Sequence, residues 1–409
     1  MKCASSFQTY FVAFALLGLS DVALAQSSES SDTGVQLEWN ARLRHEQVDS
    51  AAYSPHAYAD TLRLRLGIRS QIGYGWSYFV EGVGTASVGN HYNSGANGQT
   101  QYPSITDPKG AALNQAWLAW QGDTASAKVG RQEMTLDNQR WIGTAPWRQF
   151  EQTFDAVALQ WKPAANWILS YDWIDRVNRV AGPDAINPLA RQRDLNTHLL
   201  HVAWSHGRQQ VVGYAYLHKD KDVATASTAT YGVRWTGKPT ADGGFGWSAE
   251  GARQYDYANN PLGFEHNYWL VEPSWTQWGI TGKLGWEFLG GDSRTALQTP
   301  LASLHAFNGW DDQFTVTPAT GLQDYYVTLN GPLGRTGVAR QFAWTVTYHE
   351  FRSVRGSARY GSEWDASLSY VLMPGLNALL KAADYRADQW GRDDTKLWLQ
   401  LEWTGKQSL

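Results

Sequence analysis

The sequence predicts an all-β fold, a transmembrane antiparallel β-barrel of about eighteen strands. Three observations indicate this fold. Apolar and polar residues alternate along short segments, and the links between the segments alternate between short and long. Aromatic residues are also abundant, although no segment after the N-terminus is apolar enough to form a spanning helix. Inside a bilayer every backbone N–H and C=O group must be hydrogen-bonded within the protein, so strands cross only as a closed barrel.

The alternation is clearest at Thr61–Gln71. Successive side chains of a strand point to opposite faces, so the apolar residues of this segment share one face and its arginines share the other. An arginine that faces lipid at the bilayer midplane costs about 2–4 kcal/mol, which assigns the arginine face to an aqueous interior. The apolar residues are Leu62, Leu64, Leu66 and Ile68, and the interior ones are Arg63, Arg65 and Arg69.

Residues 1–25 have the pattern of a secretory signal peptide. Lys2 precedes the apolar stretch Phe11–Leu19, and Ala23–Ala25 fits a cleavage site. The apolar stretch is about half of the ~20 residues that a spanning helix requires. We therefore predict a signal peptide over 1–25 and a single barrel domain over 26–409. The only cysteine, Cys3, lies in the signal peptide, so the mature chain has no disulfide chemistry.

The composition agrees with a barrel. The 409 residues include 22 Trp and 20 Tyr, which in outer-membrane barrels form girdles at the two membrane interfaces. The chain has 34 Lys and Arg against 38 Asp and Glu, a formal net charge of −4. This near balance gives no electrostatic basis for binding nucleic acid.

Each predicted strand is close to the ~9–11 residues that a tilted strand needs to cross the bilayer. The predicted strands are Val35–Glu46, Thr61–Gln71, Trp76–Thr85, Ala112–Trp120, Ala125–Gln132, Thr153–Trp161, Trp167–Arg176, Leu195–Trp204, Gln209–Leu217, Thr228–Thr236, Phe245–Tyr255, Glu265–Trp275, Ile280–Phe288, Gln323–Leu329, Val338–Arg352, Ser362–Val371, Leu376–Tyr385 and Thr395–Trp403.

Every second link is short, as at Ile72–Gly75 and Gln277–Gly279, and the links between them are longer, as at Glu133–Gln152 and Leu289–Leu322. Outer-membrane barrels have short periplasmic turns and longer extracellular loops. This alternation of short and long links therefore predicts a protein of the Gram-negative outer membrane with both termini in the periplasm. A soluble propeller or sandwich also has many short strands, but it does not predict this parity.

Cationic residues on the predicted interior faces are candidates for solute selection. Converging guanidinium groups would attract an anionic solute, because arginine pairs bidentately with carboxylates. The alternative is that they only pair across strands with wall carboxylates and stiffen the barrel; the sequence leaves both open. The cations are Arg42, Arg44, Arg63, Arg65, Arg69, Arg176, Arg234, Lys283 and Lys381, and the carboxylates are Glu38, Glu46, Glu81, Glu250 and Glu272.

The segment Gly130–Ala156 reads GRQEMTLDNQRWIGTAPWRQFEQTFDA. It is richer in Arg, Asn, Gln and Trp than a simple solvent loop. We expect it to fold inward and to narrow the pore through Arg140, Trp141, Trp147 and Arg148. Arg131, Asp137, Arg140 and Arg148 of this segment are predicted to line the pore, as is Glu81 of an earlier strand. The alternative is a cap on the rim, with the tryptophans at the membrane interface.

Several stretches carry a resemblance to a known family. LNQAWLAW (Leu113–Trp120) with the Gly130–Ala156 segment resembles the alginate-export family of outer-membrane β-barrel porins. FNGWDDQFTVTPATGLQD (Phe307–Asp324) resembles a second motif of that family, in a loop between strands. WIDRVNRVAGPDA (Trp173–Ala185) and DLNTHLLHVAW (Asp194–Trp204) also fit. The likeness covers nearly the whole mature chain.

The resemblance implies a monomeric barrel of about eighteen strands that passes anionic polysaccharide or related solutes. The interior predicted for this chain mixes both charges, and its late turn at Met373–Asn377 is too short to plug a barrel. These two features favour a porin for small anionic solutes over a dedicated polyanion exporter. The matching residues are Arg131, Asp137, Asn138, Arg140, Trp147, Arg148 and Asp155 in the first motif, and Asn308, Gly309, Trp310, Asp311 and Asp324 in the second.

The sequence gives little indication of catalysis or of a cofactor. It contains no GxSxG motif, and His198 and His201 should face opposite sides of a strand, which disfavours a shared metal ion. Asp292 or the pair Asp311–Asp312 could hold calcium in a loop, although ordinary turn chemistry explains such residues better. We predict no cofactor.

The expected function is that of an outer-membrane channel for diffusion or export of anionic saccharides or related small solutes, without a bond-breaking step. The expected partners are outer-membrane lipid, the barrel-assembly machinery and the solute. Two alternatives stay open: a barrel hydrolase that acts on lipid or peptide, and a plugged surface barrel whose loops bind a ligand.

Overall fold

The computed structural model describes residues 34–240, 243–334 and 336–409. The predicted signal peptide lies outside the described residues. Within the described part of the chain, no helix is both long and apolar enough to cross a membrane.

The strands, named β1 to β18 in chain order, form one sheet. They are Val35–Ser50, Ala57–Gly73, Trp76–His91, Gly110–Gln121, Ala125–Gln132, Thr153–Ala164, Trp167–Asn178, Gln192–His206, Gln209–His218, Thr228–Gly237, Gly244–Asp256, Glu265–Gln277, Ile280–Leu289, Leu322–Pro332, Phe342–Arg352, Arg359–Met373, Leu376–Ala387 and Asp394–Ser408.

The sheet closes on itself because β1 pairs antiparallel with both β2 and β18. Leu43 of β1, for example, lies opposite Leu62 of β2 and Leu401 of β18. Every strand pairs with its neighbours in sequence, so the described barrel has no free strand edge. The predicted fold is confirmed.

All the predicted strands are present, and most extend a few residues further than predicted. One predicted boundary is wrong. Residues Val338–Gln341 form a 3-10 turn, and β15 begins only at Phe342. The backbone of Gly337 has a φ of 62°, and its carbonyl accepts a hydrogen bond from the N–H of Arg340. The chain therefore completes a turn before it enters the strand.

The packing is inverted relative to a soluble protein. Leu64 and Leu66 are 44% and 49% exposed on the outer face, whereas Arg63 and Arg65 between them are 1% and 8% exposed on the inner face. Lipid solvates an apolar outer face, so the apolar band favours a membrane-spanning barrel. The period-2 alternation in the sequence therefore predicts the correct faces.

The turns at one end are short, for example residues 74–75, 165–166 and 374–375, and the described N- and C-terminal strand ends lie at this end. The longest loops lie at the other end and span residues 92–109, 133–152, 179–191 and 290–321. One α-turn, α1 (Pro188–Arg191), belongs to the third of these loops. The loops 133–152 and 290–321 enter the barrel and position the candidate site.

Candidate solute path

Inner loop 1, residues 133–152, joins β5 to β6 and folds into the barrel. Its Trp141 is buried, and the indole N–H donates to Glu250 of β11 at 2.8 Å. The guanidinium of Arg140 pairs with Glu287 of β13 at 3.0 Å. The loop therefore reaches across the lumen to the opposite wall, which is the inward arrangement that the sequence favours over a rim cap.

Inner loop 2, residues 290–321, joins β13 to β14 and also folds inward. The backbone N–H of Trp310 donates to Asp365 at 3.1 Å, and that of Asp311 donates to Glu363 at 2.7 Å. Both carboxylates belong to β16, so this loop lies against the wall formed by the last strands. The sequence places the motif in a loop but does not indicate that the loop enters the barrel.

The two inner loops bind each other inside the barrel. Arg148 pairs with Asp312 at 2.9 Å, and the side-chain amide of Gln152 donates to the carbonyl of Leu301 at 2.9 Å. A Cβ atom at Gly143 would lie 2.3 Å from Oγ of Ser303, so the close approach requires glycine there. Together the loops form a continuous layer that narrows the lumen at its long-loop half.

Lys381 of β17 fastens this layer to the wall. Its ammonium nitrogen lies 4.0 Å from the ring centre of Trp147, 3.9 Å from that of Trp310 and 5.2 Å from that of Trp398. One tryptophan comes from each inner loop and the third from β18. A cation enclosed by aromatic faces is stabilised by the ring quadrupoles, so Lys381 joins both loops to the barrel.

His305 completes this aromatic cage of Lys381, Trp147, Trp310 and Trp398. Burial lowers the pKa of His305 to about 3, so the ring is neutral at pH 7. Its Nε2 accepts a hydrogen bond from the Lys381 ammonium at 2.7 Å, and its Nδ1–H donates to Asp312 at 2.8 Å. The neutral ring thus has one acceptor and one donor, each with a partner.

Four of the predicted selectivity residues face the interior but lie beneath inner loop 1. Arg42 donates to the carbonyls of Pro146 and Trp147 at 3.0 and 3.1 Å. Arg44 donates to the same Trp147 carbonyl at 2.5 Å, and Arg63 donates to that of Arg148 at 3.3 Å.

The fourth, Arg65, pairs with Glu151 at 2.8 Å. All four are at most 8% exposed. They therefore face the interior and anchor the loop, and their role in selecting the solute stays a prediction.

Three other predicted cations pair across strands. Arg69 binds Glu38 at 2.5 Å, Arg234 binds Glu250 at 2.6 Å and Lys283 binds Glu272 at 3.2 Å. These contacts match the second interpretation of the sequence, in which the interior cations pair with carboxylates of the barrel wall. Glu46 instead lies 3.6 Å from Arg148 of inner loop 1.

Arg131 and Arg176 are predicted to line the pore, but both face outward. Arg131 shares its face with Val129, which is 49% exposed, and pairs with Asp155 at 2.7 Å. Arg176 pairs with Asp194 at 2.8 Å. A β-bulge between Ile174 and Arg176 inserts one residue and reverses the face on which Arg176 lies. The alternation around Val129 could have identified the outward position of Arg131.

Glu81, Glu133 and Glu151 form the one group of carboxylates among the described residues that is close enough to hold a metal ion. Arg65 lies in this group, 2.8 Å from Glu151 and 3.6 Å from Glu133, and neutralises part of its charge. The nearby Glu151 carboxylate raises the pKa of Glu133 well above its ordinary value. Asn114 donates to both Glu81 and Glu151 at 2.6 Å. The arrangement fits a shared proton and an arginine better than a divalent cation.

The remaining predicted residues have local partners. Asp137 of inner loop 1 contacts His201 of β8 at 3.1 Å, while His198 faces outward and contacts Tyr171. At the candidate calcium position Asp292, hydrogen bonds from the backbone N–H groups of Thr295 and Arg294 lower the pKa of the carboxyl. This contact is ordinary turn chemistry. Asp311 and Asp312 lie 3.5 and 3.6 Å from Lys396.

A family model described as Alginate export matches residues 32–304, more than half of the chain. None of the curated proteins matches the sequence.

Many solved structures share the fold. OpdK of Pseudomonas aeruginosa, solved with vanillate, is 14% identical with a TM-score of 0.69, over 91% of this chain and 99% of OpdK. A BenF-like porin from Pseudomonas fluorescens Pf-5 is 16% identical with a TM-score of 0.71, over 92% and 99% of the two chains. OccK3 (OpdO) of P. aeruginosa is 14% identical with a TM-score of 0.69, over 91% and 96%. At these identities the likeness establishes the fold.

A closed eighteen-stranded barrel with an apolar exterior, a charged interior and loops folded into its lumen defines a porin-like channel of the Gram-negative outer membrane. The long-loop end is accordingly extracellular. The chain belongs to the alginate export family.

Proposed function

We propose that this channel passes small solutes that carry a carboxylate, such as the building blocks of anionic saccharides, and that it breaks no bond in doing so. The observation that carries the proposal is the contact between the two inner loops, where Arg148 of one pairs with Asp312 of the other at 2.9 Å inside the barrel. The loops narrow the lumen at its extracellular half, which favours short solutes over a long stiff polymer.

The distribution of charge supports a small solute. A polyanion would need an unbroken series of accessible cations along its path, because each charged unit must be stabilised in turn. Here Arg42, Arg44 and Arg63 are already bound to loop carbonyls and carboxylates. Little cationic surface remains for a long chain to follow.

The cations that remain accessible are few and lie near the edge of the loop layer. The side chain of Arg69 is 35% exposed and lies over the rings of Phe79 and Trp117. Lys128 lies 4.9 Å from the centre of the same Trp117 ring. Glu133, with a side chain 42% exposed, adds an opposite charge nearby. A mixed constriction of this kind favours anions modestly and does not retain them strongly.

Below the loops the wall is polar, and small hydroxyl residues line it together with the Lys283–Glu272 pair. Ser248 lies on the same strand face as Glu250, and Thr328 and Thr347 form a hydrogen bond at 3.0 Å. A solute that passes the loops can diffuse through this half. The small polar residues include Ser170, Thr236, Ser248, Thr328 and Thr347.

The neighbour OpdK was solved with vanillate, which is a small aromatic carboxylate. This supports a carboxylate as the solute for a barrel of the same shape. We also expect the channel to work as a monomer in outer-membrane lipid after insertion by the barrel-assembly machinery, with no nucleic acid partner and no cofactor.

The test is electrophysiology with purified protein in planar bilayers, combined with solute flux into liposomes. We expect discrete conductance steps, a reversal potential in a salt gradient that shows modest anion preference, and passage of glucuronate but not of alginate polymer. An intact barrel that gives no conductance would contradict the channel and leave the plugged surface barrel. Passage of the polymer would contradict the restriction to small solutes.

A further inference from the structure

A cleft of about 560 Å³ opens at the extracellular end between inner loop 1 and the loop 179–191. Leu113 and Arg131 of its lining face outward, whereas Asn114 and Glu151 face the interior. The cleft therefore runs over the top of the wall, where β5 already ends at Gln132. It joins the outside of the barrel to the residues beside Arg65.

Arg179 is a charged group in this cleft that has no ion pair within the described chain. The neighbouring arginines differ: Arg131 pairs with Asp155, and Arg193 pairs with Asp220 at 3.0 Å. Burial, together with repulsion from Arg193, lowers the pKa of Arg179 to about 10; attraction to Asp220, which itself pairs with Arg193, offsets this only in part. A partly buried guanidinium without a counterion is stabilised by an anionic ligand.

The backbone of Arg179 is held in place. Its N–H donates to the carbonyl of Arg191 at 2.9 Å, and its carbonyl accepts from Gly182 at 3.1 Å. A Cβ atom at Gly182 would lie 2.8 Å from the Phe150 ring, so the loop packs closely on inner loop 1 only because this residue is glycine. The guanidinium is therefore carried by a fixed segment, not by a free loop tip.

A second cation, Arg191, lies in the same cleft, and its Nε donates to the carbonyl of Ala185 at 2.6 Å. The apolar part of the lining consists of Phe150, Pro188 and Leu189, among others. The lining also includes Asp194, which pairs with Arg176, and Asp222, which accepts a hydrogen bond from the backbone N–H of Asp194. The cleft thus combines guanidinium groups with an apolar surface and with carboxylates that already have partners, and its volume lies in the range of small-molecule sites.

We propose that this cleft, which we call the rim cleft, is an entry site that binds a small carboxylate with a ring-shaped body through Arg179. The proposal rests on the proposed function and adds to it the place where the solute is first held. The carboxylate pairs with the guanidinium, while the ring covers the apolar lining. Both an aromatic acid and a sugar acid have this chemistry.

The experiment measures the flux of benzoate and of glucuronate into liposomes as a function of solute concentration. The protein is inserted with its extracellular end facing the outside of the liposome. We expect saturable flux, and an increase of about tenfold in the half-saturating concentration for Arg179→Gln, because one charge-assisted contact is lost. Arg191→Gln is a second variant with a smaller expected increase. Heat-modifiable migration on gels checks that each variant is folded.

Arg294→Gln is the matched control, since Arg294 is an exposed arginine at the same end that does not line the cleft. It removes the same charge and should change the half-saturating concentration less than twofold. An effect of Arg179→Gln on benzoate alone identifies an aromatic acid as the ligand, and an effect on glucuronate alone identifies a sugar acid.

Equal half-saturating concentrations in the wild type, Arg179→Gln and Arg294→Gln would overturn the rim cleft as an entry site. If chloride is still conducted in that case, the proposed function stands. Absence of any conductance would instead overturn the proposed function itself, so the two failures are distinguishable.

Discussion

Lys381 of the barrel wall holds its ammonium nitrogen 4.0 Å from the ring centre of Trp147, a residue of inner loop 1. The same nitrogen lies 3.9 Å from the ring centre of Trp310 in inner loop 2. One buried cation therefore fixes the position of both loops that narrow the lumen. It adds to the other contacts that hold these loops to the wall, such as that of Arg44 with the carbonyl of Trp147 and that of the Trp310 N–H with Asp365.

The first prediction concerns this cage. In Lys381→Gln the attraction between cation and rings is lost, which for a desolvated pair is worth about 2 kcal/mol or more. The loops should loosen, and single-channel recordings should show a larger and noisier conductance. Lys381→Arg keeps the charge and should restore part of the wild-type behaviour. Lys109→Gln removes an exposed lysine at the same end and is the control. Equal conductance of Lys381→Gln and wild type would contradict a fastening role.

The second prediction concerns the anchoring arginines. Arg44 donates to the carbonyl of Trp147, and its pair with Asp107 is completely buried. Arg44→Gln leaves that carboxylate buried without its counterion, a change that costs about 3–5 kcal/mol in other proteins. We expect inner loop 1 to become open to trypsin, as detected by mass spectrometry of the fragments. Arg69→Gln is the control, because Arg69 is a cation of the same wall that binds no loop carbonyl. Inner loop 1 should stay protected from trypsin in this variant. Cleavage of the loop at equal rates in both variants would contradict the anchoring role of Arg44.

The third prediction is a pH dependence. The pKa of Glu133 is raised, so this carboxyl takes up a proton at a pH above the ordinary carboxyl range. Lowering the pH therefore removes a negative charge beside the path, and the preference for anions should rise. Reversal potentials measured from pH 8 downward should show this rise in the wild type. Glu133→Gln should have the raised preference at every pH, and Glu265→Gln, on the outer surface, should titrate as the wild type does. A wild type without any pH response would exclude this role of Glu133.

The fourth prediction separates the two faces of the wall. Arg176 pairs with Asp194 on the outer face, and both side chains are at least 34% exposed. Arg176→Gln should leave the reversal potential unchanged and alter stability by at most about 1 kcal/mol. Lys283→Gln removes an equal charge from the inner face and should shift the reversal potential toward cations. Equal shifts of the reversal potential in the two variants would contradict the assignment of Arg176 to the outer face and Lys283 to the inner face.

Much of the architecture is predictable because it depends on a local pattern. Strand geometry alone gives the period of two, so Leu64 and Arg65 could be assigned to opposite faces without any coordinates. The infolding of the Gly130–Gln152 segment was one of two open alternatives, and the density of Arg, Gln and Trp favoured it. The entry of inner loop 2 into the barrel had no comparable signal, because its carboxylate partners on β16 are distant in sequence.

Other errors have identifiable causes. The outward position of Arg176 results from a bulge, which inserts a residue without a distinctive sequence. The motif containing Arg131 predicts an interior position, although the neighbouring Val129 indicates the outer face. The role of the arginines at 42, 44 and 63 could not be read from alternation, because alternation specifies the face of a residue and not what covers it.

The sequence by itself determined the barrel, its approximate strand number, its orientation and the two faces of its wall, since each follows from period, turn length or composition along the chain. Only the tertiary structure decided which interior charges are accessible. It covers the arginines of the first strands with a loop, encloses Lys381 among three tryptophans and leaves Arg179 without an ion pair among the described residues. These outcomes depend on contacts between segments far apart in the chain, and a local pattern contains no information about them.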